Sequence, residues 1–454
     1  MAAETWVNWT GDQRCAPAAI VRPAGEAELI ATVRDAAARG RGVRAAGSGH
    51  SFSDIACTDG VLLDLSRMRR VLDVARELVT VEAGITLRRL GEELAARGLA
   101  LENQGDIDAQ TLAGATATGT HGTGARFRNL SSGIVALRLV TAAGEPLDLS
   151  LEDDADAFLA ARVSLGALGV VSRITLRCVP LFTLHRRDEP RSLEATLARL
   201  DEYVDGSDHF EFWVFPYTRT ALTRTCRRSS VAPSPTSAWR RRLQEDAIEN
   251  GLLELVCRAG RAAPRGVPRL NRLVTAAMTA TEVEDLSHRV FATKRRVRFN
   301  EMEYAIPRER ARDAVERALD AIERRRLPVG FPLEVRFAAA DDALLSTAHG
   351  RATCYVAVHQ FRGMEFETAL RAVEEVMDDC GGRPHWGKRH YQTAATLEER
   401  YPAWGRFAAV RARLDPGGAF TNAYVRRCLG PVATPPAASP AGRSAGTPTG
   451  RRSP

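Results

Sequence analysis

What this sequence lacks narrows it first. Its eight cysteines, at 15, 57, 178, 226, 257, 354, 380 and 428, never fall at C-x-x-C spacing. That pattern excludes a zinc ribbon or a disulfide framework and leaves scattered thiols of a reducing compartment. There is no H-x-H or H-E-x-x-H among the nine histidines, so no metal is expected. No run of 18 uncharged apolar residues occurs, so no transmembrane helix is expected. Met1 to Trp6 show neither a charged nor an apolar leader region, so no secretory signal is expected. A Walker A loop is also missing, because Gly387-Lys388 is followed by Arg389.

A basic working face is lacking too. The net charge is +7, but residues 219–272 hold twelve arginines against four acids, and the tail from Pro431 adds three arginines and no acid. The rest of the chain is slightly acidic, which argues against a nucleic-acid partner. With 454 residues, 44% hydrophobic and 26% charged, the chain suits a soluble protein of two or three domains.

The organising stretch is Ala45-Ala46-Gly47-Ser48-Gly49-His50-Ser51, which follows a short apolar strand over 42–46. Gly47 and Gly49 can bring backbone amides close to phosphate oxygens. It is not a Rossmann fingerprint, because the third glycine position holds Phe52. His50 adds a nucleophile to the turn. A second small-residue stretch, Thr111 to Gly124, reads either as a packing helix or as the other wall of a dinucleotide site.

Periodicity predicts a helix over 25–39, strands over 61–65, 78–83, 134–140 and 173–178, and a helix from Leu87 that Gly98 ends. Residues 1–180 thus read as a mixed α+β domain. Pro180 and the charged run 186–189 mark a boundary, and 181–398 forms a second α+β domain. Its strands are expected at 210–215, 299–305, 332–338 and 354–361, with helices at 308–325 and 364–379 on one face. Residues 229–237 read as a mobile loop, 399–430 as a segment completing the body, and 431–454 as a disordered tail.

The GSGHS turn, the run Asn103-Gln104-Gly105-Asp106 continuing to Gly124, and His385-Trp386-Gly387-Lys388 together resemble the sugar-1,4-lactone oxidases. These D-arabinono- and L-gulono-1,4-lactone oxidases are vanillyl-alcohol-oxidase-type flavoproteins, and alditol oxidases are close relatives. The likeness runs from Trp9 to Tyr424. It implies a two-subdomain FAD-binding domain followed by an α+β cap domain for substrate. It implies FAD contacts from Ala45, Ala46, Gly47, Ser48, Gly49, His50, Ser51, Gly105, Asp106, Thr111, Gly114, Thr118, Gly119, Thr120, His121, Val171 and His385. His50 stands where relatives carry a covalent histidyl bond to the flavin 8α-methyl.

On the strand 331–337, Leu333, Val335 and Phe337 face one way and Glu334 and Arg336 the other, roughly 6.5–7 Å apart. By itself this reads as a solvent-facing charge pair. The resemblance makes it a substrate site, with Asp106, His359 and Lys388 as further substrate contacts and Glu334, Arg336 and Lys388 as catalytic groups. Glu334 accepts from sugar hydroxyls, Arg336 donates to the oxygen where charge grows, and Lys388 stabilises negative charge. His359 reads equally as a core histidine.

The expected activity is FAD-dependent oxidation of a sugar-1,4-lactone, with electrons passing to O2 to give hydrogen peroxide. Gly105 carries the oxygen expectation, either as an open path to the flavin or as a turn glycine with φ > 0. Polyol oxidation, or transfer to a quinone or cytochrome, is the alternative. The expected location is cytoplasmic. Residues 240–258 also read as a basic amphipathic helix, suited either to the inner membrane face or to a solvated surface.

Overall fold

The structure, a computed structural model, describes residues 4–231, 250–293 and 296–432. Three short strands, Ala19–Val21 (β1), Val43–Ala46 (β2) and Val61–Asp64 (β3), form a parallel sheet in the order β1-β3-β2. Helix Glu26–Ala38 (α1) joins the first two, and Leu29, Val33 and Ala36 form its buried stripe. A second sheet holds Val71–Ala75 (β4), Leu78–Glu82 (β5), Ile134–Val140 (β6), Pro146–Ser150 (β7) and Val170–Arg177 (β8), in the antiparallel order β7-β6-β8-β5-β4. Helices Leu87–Ala95 (α2) and Leu112–Ala117 (α3) pack into the same core. Gly98, at φ +73°, takes the left-handed turn that follows α2.

The third sheet has eight antiparallel strands. They are Thr183–Ser192 (β9), His209–Val214 (β10), Thr220–Ser229 (β11), Thr281–Leu286 (β12), Phe299–Pro307 (β13), Leu333–Ala338 (β14), Thr353–Phe361 (β15) and Arg383–Pro384 (β16). Their order is β12-β9-β11-β10-β14-β15-β13-β16. The charged run 186–189, read from sequence as a boundary, is the middle of β9. Asp188 is buried there and held by Arg224 of β11 at 2.7 and 2.8 Å. Alternation is preserved, but charges paired across strands replaced the apolar residues that usually announce a strand.

Helices Ala311–Arg324 (α4) and Glu367–Asp379 (α5) cover one face, burying Met302, Tyr304, Ile306, Leu333, Val335, Phe337, Val356 and Val358. The opposite face carries Glu211, Glu301, Glu303, Glu334, Arg336 and His359, all buried. The period of two thus puts an apolar layer on one side and a charged layer on the other.

Helices Trp404–Leu414 (α6) and Ala423–Leu429 (α7) return to the first core through Phe407, Val410, Tyr424 and Val425. Arg44 of β2 pins this return. Its buried guanidinium donates to the carbonyls of Ile55, Leu165, Gly166 and Phe420 at 2.7–3.1 Å. Burial among neutral acceptors pushes its pKa down to about 10. Hydrogen bonds to a charged group contribute roughly 1.5–3 kcal/mol each, non-additively. Arg44→Ala should therefore cost at least about 3 kcal/mol, read as a lower denaturant midpoint at unchanged slope.

Of the stretch 240–258, residues 240–249 lie outside the described ones. Within the helix Asn250–Ala262, Leu253 and Cys257 pack into an aromatic cluster with Phe52, Phe299 and Phe361, whereas Leu255 and Arg258 are exposed. The helix is thus docked on the body by one stripe. Most of the expected loop 229–237 and of the tail 431–454 also falls outside the described residues.

Candidate active site

Strand β2 delivers the GSGHS turn to the seam between the sheets. A Cβ on Gly47 would sit 2.2 Å from Thr111 Oγ1, and one on Gly114 would sit 2.9 Å from the same atom. The two small-residue stretches therefore approach closely only because these positions are glycine. Gly49 takes φ +71°, and Ser48 Oγ donates to the Ala109 carbonyl at 2.5 Å.

An elongated cavity is lined by Ala45, Ala46, Gly47, Ser48, Gly49, His50 and Ser51 on one side. Thr111, Gly114 and Thr118 form another side, and Gly169 and Val171 close the end. Ser53 also lines it, and its buried hydroxyl has no hydrogen-bond partner. A glycine-walled cleft with an unsatisfied buried hydroxyl fits an extended dinucleotide.

A second cavity continues from the first, and His50, Ser51, Gln110 and Thr118 line both. Its other walls include Trp9, Phe52, Phe299, Glu301, His385 and Lys388. His50 stacks on Trp9 at 5.3 Å between ring centroids. Burial, with Lys388 adding to it, pushes the His50 pKa down to about 4. The amide of Phe52 donates to the Gly387 carbonyl at 2.7 Å, so the two motifs meet although they lie far apart in the chain.

Glu334 and Arg336 are not the solvent-facing pair that alternation alone suggests. Both are under 10% exposed. Arg336 contacts Glu334, bonds Glu211 of β10 at 2.8 Å and reaches Asp106 at 3.5 Å. Burial opposes the Arg336 charge, but Glu334, Asp106 and Glu211 overcome it and hold its pKa well above the ordinary value. Burial pushes Glu334 up, against Arg336, with Asp106 and Glu211 adding to the rise. Its Oε1 touches the guanidinium without hydrogen-bond geometry. The pair is absent from the wall of the second cavity, where Glu301 and Lys388 stand instead.

Lys388 contacts Glu301 of β13 and lies 5.3 Å from the Phe52 ring centroid. Burial disfavours its charge, but Glu301 and Glu303 outweigh burial and raise its pKa. His359 is no ordinary core histidine. Its Nε2 lies 3.4 Å from Glu301 and 3.7 Å from Glu334, and its Nδ1 lies 3.3 Å from the Pro332 carbonyl.

Gly119, Thr120 and His121 follow α3. Gly119 takes φ +76°, and the buried Thr120 hydroxyl has no hydrogen-bond partner. His121 lies flat on Tyr355 with ring centroids 3.4 Å apart. Its Nδ1 donates to the Gly122 carbonyl at 2.8 Å, and its Nε2 faces Glu303 at 3.3 Å. His385 accepts the Gly387 amide at Nδ1, 3.0 Å away, and burial pushes its pKa down to about 3.

Sequence spacing offered no metal site, yet folding gathers ligand atoms of His121, Glu303 and His385 within 4.8 Å of one another. Burial would raise the Glu303 pKa, but His121 and Lys388 hold it well below the ordinary value.

Gly105 departs from the expectation of a left-handed turn. It is not among the left-handed glycines. A Cβ there would meet the His121 carbonyl at 3.0 Å and the Thr120 methyl at 3.2 Å. Glycine here lets the 103–106 segment pack tightly on 120–121, and the space a methyl would take is already occupied.

Sequence reading missed Glu211, Glu301 and Glu303. The signal was present in Asn300-Glu301-Met302-Glu303-Tyr304, the same charged–apolar alternation that singled out Glu334 and Arg336.

Residues 17–150 match the FAD binding domain model, and residues 174–428 match the D-arabinono-1,4-lactone oxidase model. The chain is 64% identical over 428 residues to an L-gulono-1,4-lactone dehydrogenase of Mycobacterium tuberculosis, covering 94% of this chain and 99% of that one. It is 36% identical to the L-gulonolactone oxidase of Mus musculus, covering 92% and 97%. A solvent-stable cholesterol oxidase superposes with a TM-score of 0.80 at 18% identity, over 94% of this chain and 97% of that chain. That likeness shows the vanillyl-alcohol-oxidase-type fold. Glycine-walled cleft, charged sheet face and matched models converge, and the chain belongs to the D-arabinono-1,4-lactone oxidase family of FAD-dependent oxidoreductases.

Proposed function

We propose that this enzyme oxidises a ring hydroxyl of a sugar-1,4-lactone and passes the electrons to an acceptor other than oxygen. The observation that carries the first part is the string of buried Glu334, Arg336 and Glu301 with half-buried Lys388, beside a cavity that shares His50 with the dinucleotide cleft. Bound FAD supplies the hydride acceptor. Glu334 would take the hydroxyl proton, and its raised pKa suits a base. Arg336 donates to the substrate oxygen, and Lys388 stabilises negative charge developing in the second cavity. Asp106 and Glu211 orient the guanidinium. Ala45 to Ser51, Thr111, Gly114, Thr118 and Val171 would hold the cofactor, and His50 would carry its covalent bond. Gly105, Gly119, Thr120, His121 and His385 would complete its surroundings.

The dehydrogenase name of the relative at 64% identity favours another acceptor. The oxidase name of the mouse relative favours oxygen and hydrogen peroxide as the second reading. Among the described residues no helix is long and apolar enough to cross a membrane. For membrane contact through 240–258, the described residues offer the exposed Leu255 and Arg258.

The test is anaerobic flavin bleaching by L-gulono-, L-galactono- and D-arabinono-1,4-lactone, with xylitol alongside. Lactones should bleach the flavin at least tenfold faster than xylitol. Reoxidation should be slow in air and fast with phenazine methosulfate. Bleaching by xylitol alone would overturn the lactone assignment, and rapid reoxidation in air with peroxide release would establish the oxidase reading.

A further inference from the structure

Four charged residues stand in one row across the third sheet. Cross-strand register sets Asp188 of β9 opposite Arg224 of β11, Arg224 opposite Glu211 of β10, and Glu211 opposite Arg336 of β14. Residues directly opposite one another project from the same face of a sheet. The row therefore alternates in sign, minus, plus, minus, plus, and ends in the candidate site. Asp188, Glu211 and Arg336 are buried, and the Arg224 side chain is only 14% exposed.

Arg224 is anchored at its outer end. Its Nε and Nη2 donate to the two oxygens of Asp188 at 2.7 and 2.8 Å. Its guanidinium carbon lies 4.7 Å from the Trp213 ring centroid. Burial favours the neutral forms of this pair, but the pairing holds Asp188 below its ordinary pKa and Arg224 above its own. At the inner end, Arg224 Nη1 donates to Glu211 Oε1 at 3.2 Å. The other oxygen of Glu211, Oε2, accepts from Arg336 Nε at 2.8 Å. The Glu211 carboxylate thus has one guanidinium on each oxygen and cannot turn without losing one of these bonds.

The Glu211 bond is the firmest hold on Arg336. Asp106 lies 3.5 Å from its terminal nitrogens, and the contact with Glu334 Oε1 lacks hydrogen-bond geometry. Stability alone does not call for such a row, because well-packed apolar residues in place of buried ion pairs are often as stable. Aim does call for it, because a donor to a developing charge must sit within about 0.5 Å and 10–20° of its working geometry.

We propose that Arg224 is a positioning residue of the reaction: anchored on Asp188 and Trp213, it fixes the Glu211 carboxylate, which fixes the plane of the Arg336 guanidinium. The inference rests on the reading of Arg336 as donor to the substrate oxygen given above. Arg224 acts from two strands away and lines neither cavity.

The experiment is Arg224→Lys, assayed for flavin content and for anaerobic flavin reduction over a range of lactone concentrations. Lysine keeps the charge, but one ammonium cannot bind both Asp188 oxygens and Glu211 as a planar fork does. Flavin content should match wild type. Reduction at saturating lactone should slow about tenfold, the effect of a misplaced group. The half-saturating lactone concentration should move less than about threefold, because the lost aim is felt mainly in the transition state. Added to Arg336→Lys, in which the fork is already gone, Arg224→Lys should slow reduction by less than about twofold. A crystal structure of Arg224→Lys should show the Arg336 plane turned by more than about 20° or its Nε released from Glu211. If Arg224→Lys does not fold, Asp188→Asn, which keeps the shape and loosens the anchor, should slow reduction about threefold at a similar half-saturation. Reduction at the wild-type rate, effects of the two lysine variants that multiply, or slow reduction with Arg336 unmoved on Glu211 would each overturn the proposal. Failure of every lactone to bleach the wild-type flavin would instead overturn the functional reading, and the crystal structure would still decide whether Arg224 holds Arg336.

Discussion

Arg336→Ala should lower flavin reduction by lactone about 10²–10³-fold, the usual loss when one preorganised donor to a developing oxyanion is removed. It should also destabilise the protein, because the guanidinium is the shared partner of Glu334, Glu211 and Asp106. Removing one member of a buried ion network costs about 3–5 kcal/mol, since the remaining charges stay buried without a partner. The two effects separate in Arg336→Lys. An ammonium keeps the positive charge but cannot span three carboxylates with a planar fork. Arg336→Lys should therefore recover most of the stability, measured by denaturant midpoint, and little of the rate. Rapid lactone-driven reduction in folded, flavin-loaded Arg336→Ala would remove Arg336 from the site.

Strand and helix positions of the second unit were legible because apolar residues there follow period two or a helical stripe. Phe299–Pro307, Leu333–Ala338 and Thr353–Phe361 fall close to where alternation put them. The strand Thr183–Ser192 was not legible, because salt bridges to Arg224 and its neighbours do the work that apolar side chains usually do. The candidate site was legible in its motifs and not in its connections. Glu334 and Arg336 stood out on one strand, but the sequence gives no hint that Glu211 and Asp106 converge on the same guanidinium. Nor does it show that Glu301 separates Lys388 from His359. Most of those contacts depend on cross-strand register between strands that are well separated along the chain. The left-handed turn reading of Gly105 failed for a related reason. A glycine in a sequence can mean a left-handed turn, an open space or a tight contact, and only the neighbouring backbone tells them apart.

His50→Ala should convert a permanently held cofactor into an exchangeable one. His50 lines both cavities, where the cleft meets the chamber containing Lys388, and its ring is fixed against Trp9. A bond from a ring nitrogen requires a neutral imidazole with a free lone pair. Burial favours that form by lowering the pKa from 6.5 to about 4. The same shift works against the cofactor-free protein in acid. An unfolded chain binds the His50 proton more readily, so this contribution to instability grows as pH falls from 6.5 towards 4. In wild type, acid precipitation should leave yellow colour in the pellet, and added FAD should not move the melting temperature. In His50→Ala the colour should pass to the supernatant, and stability should rise with free FAD by mass action, about 2.7 kcal/mol at a hundredfold excess over Kd. The stability arm matters because a colourless pellet could also come from poor loading, whereas FAD-dependent melting shows that the cleft still binds. Yellow pellets from His50→Ala would mean that another residue carries the bond. Colourless pellets from fully loaded wild type would mean that Trp9 and the glycine-walled cleft hold the flavin without one.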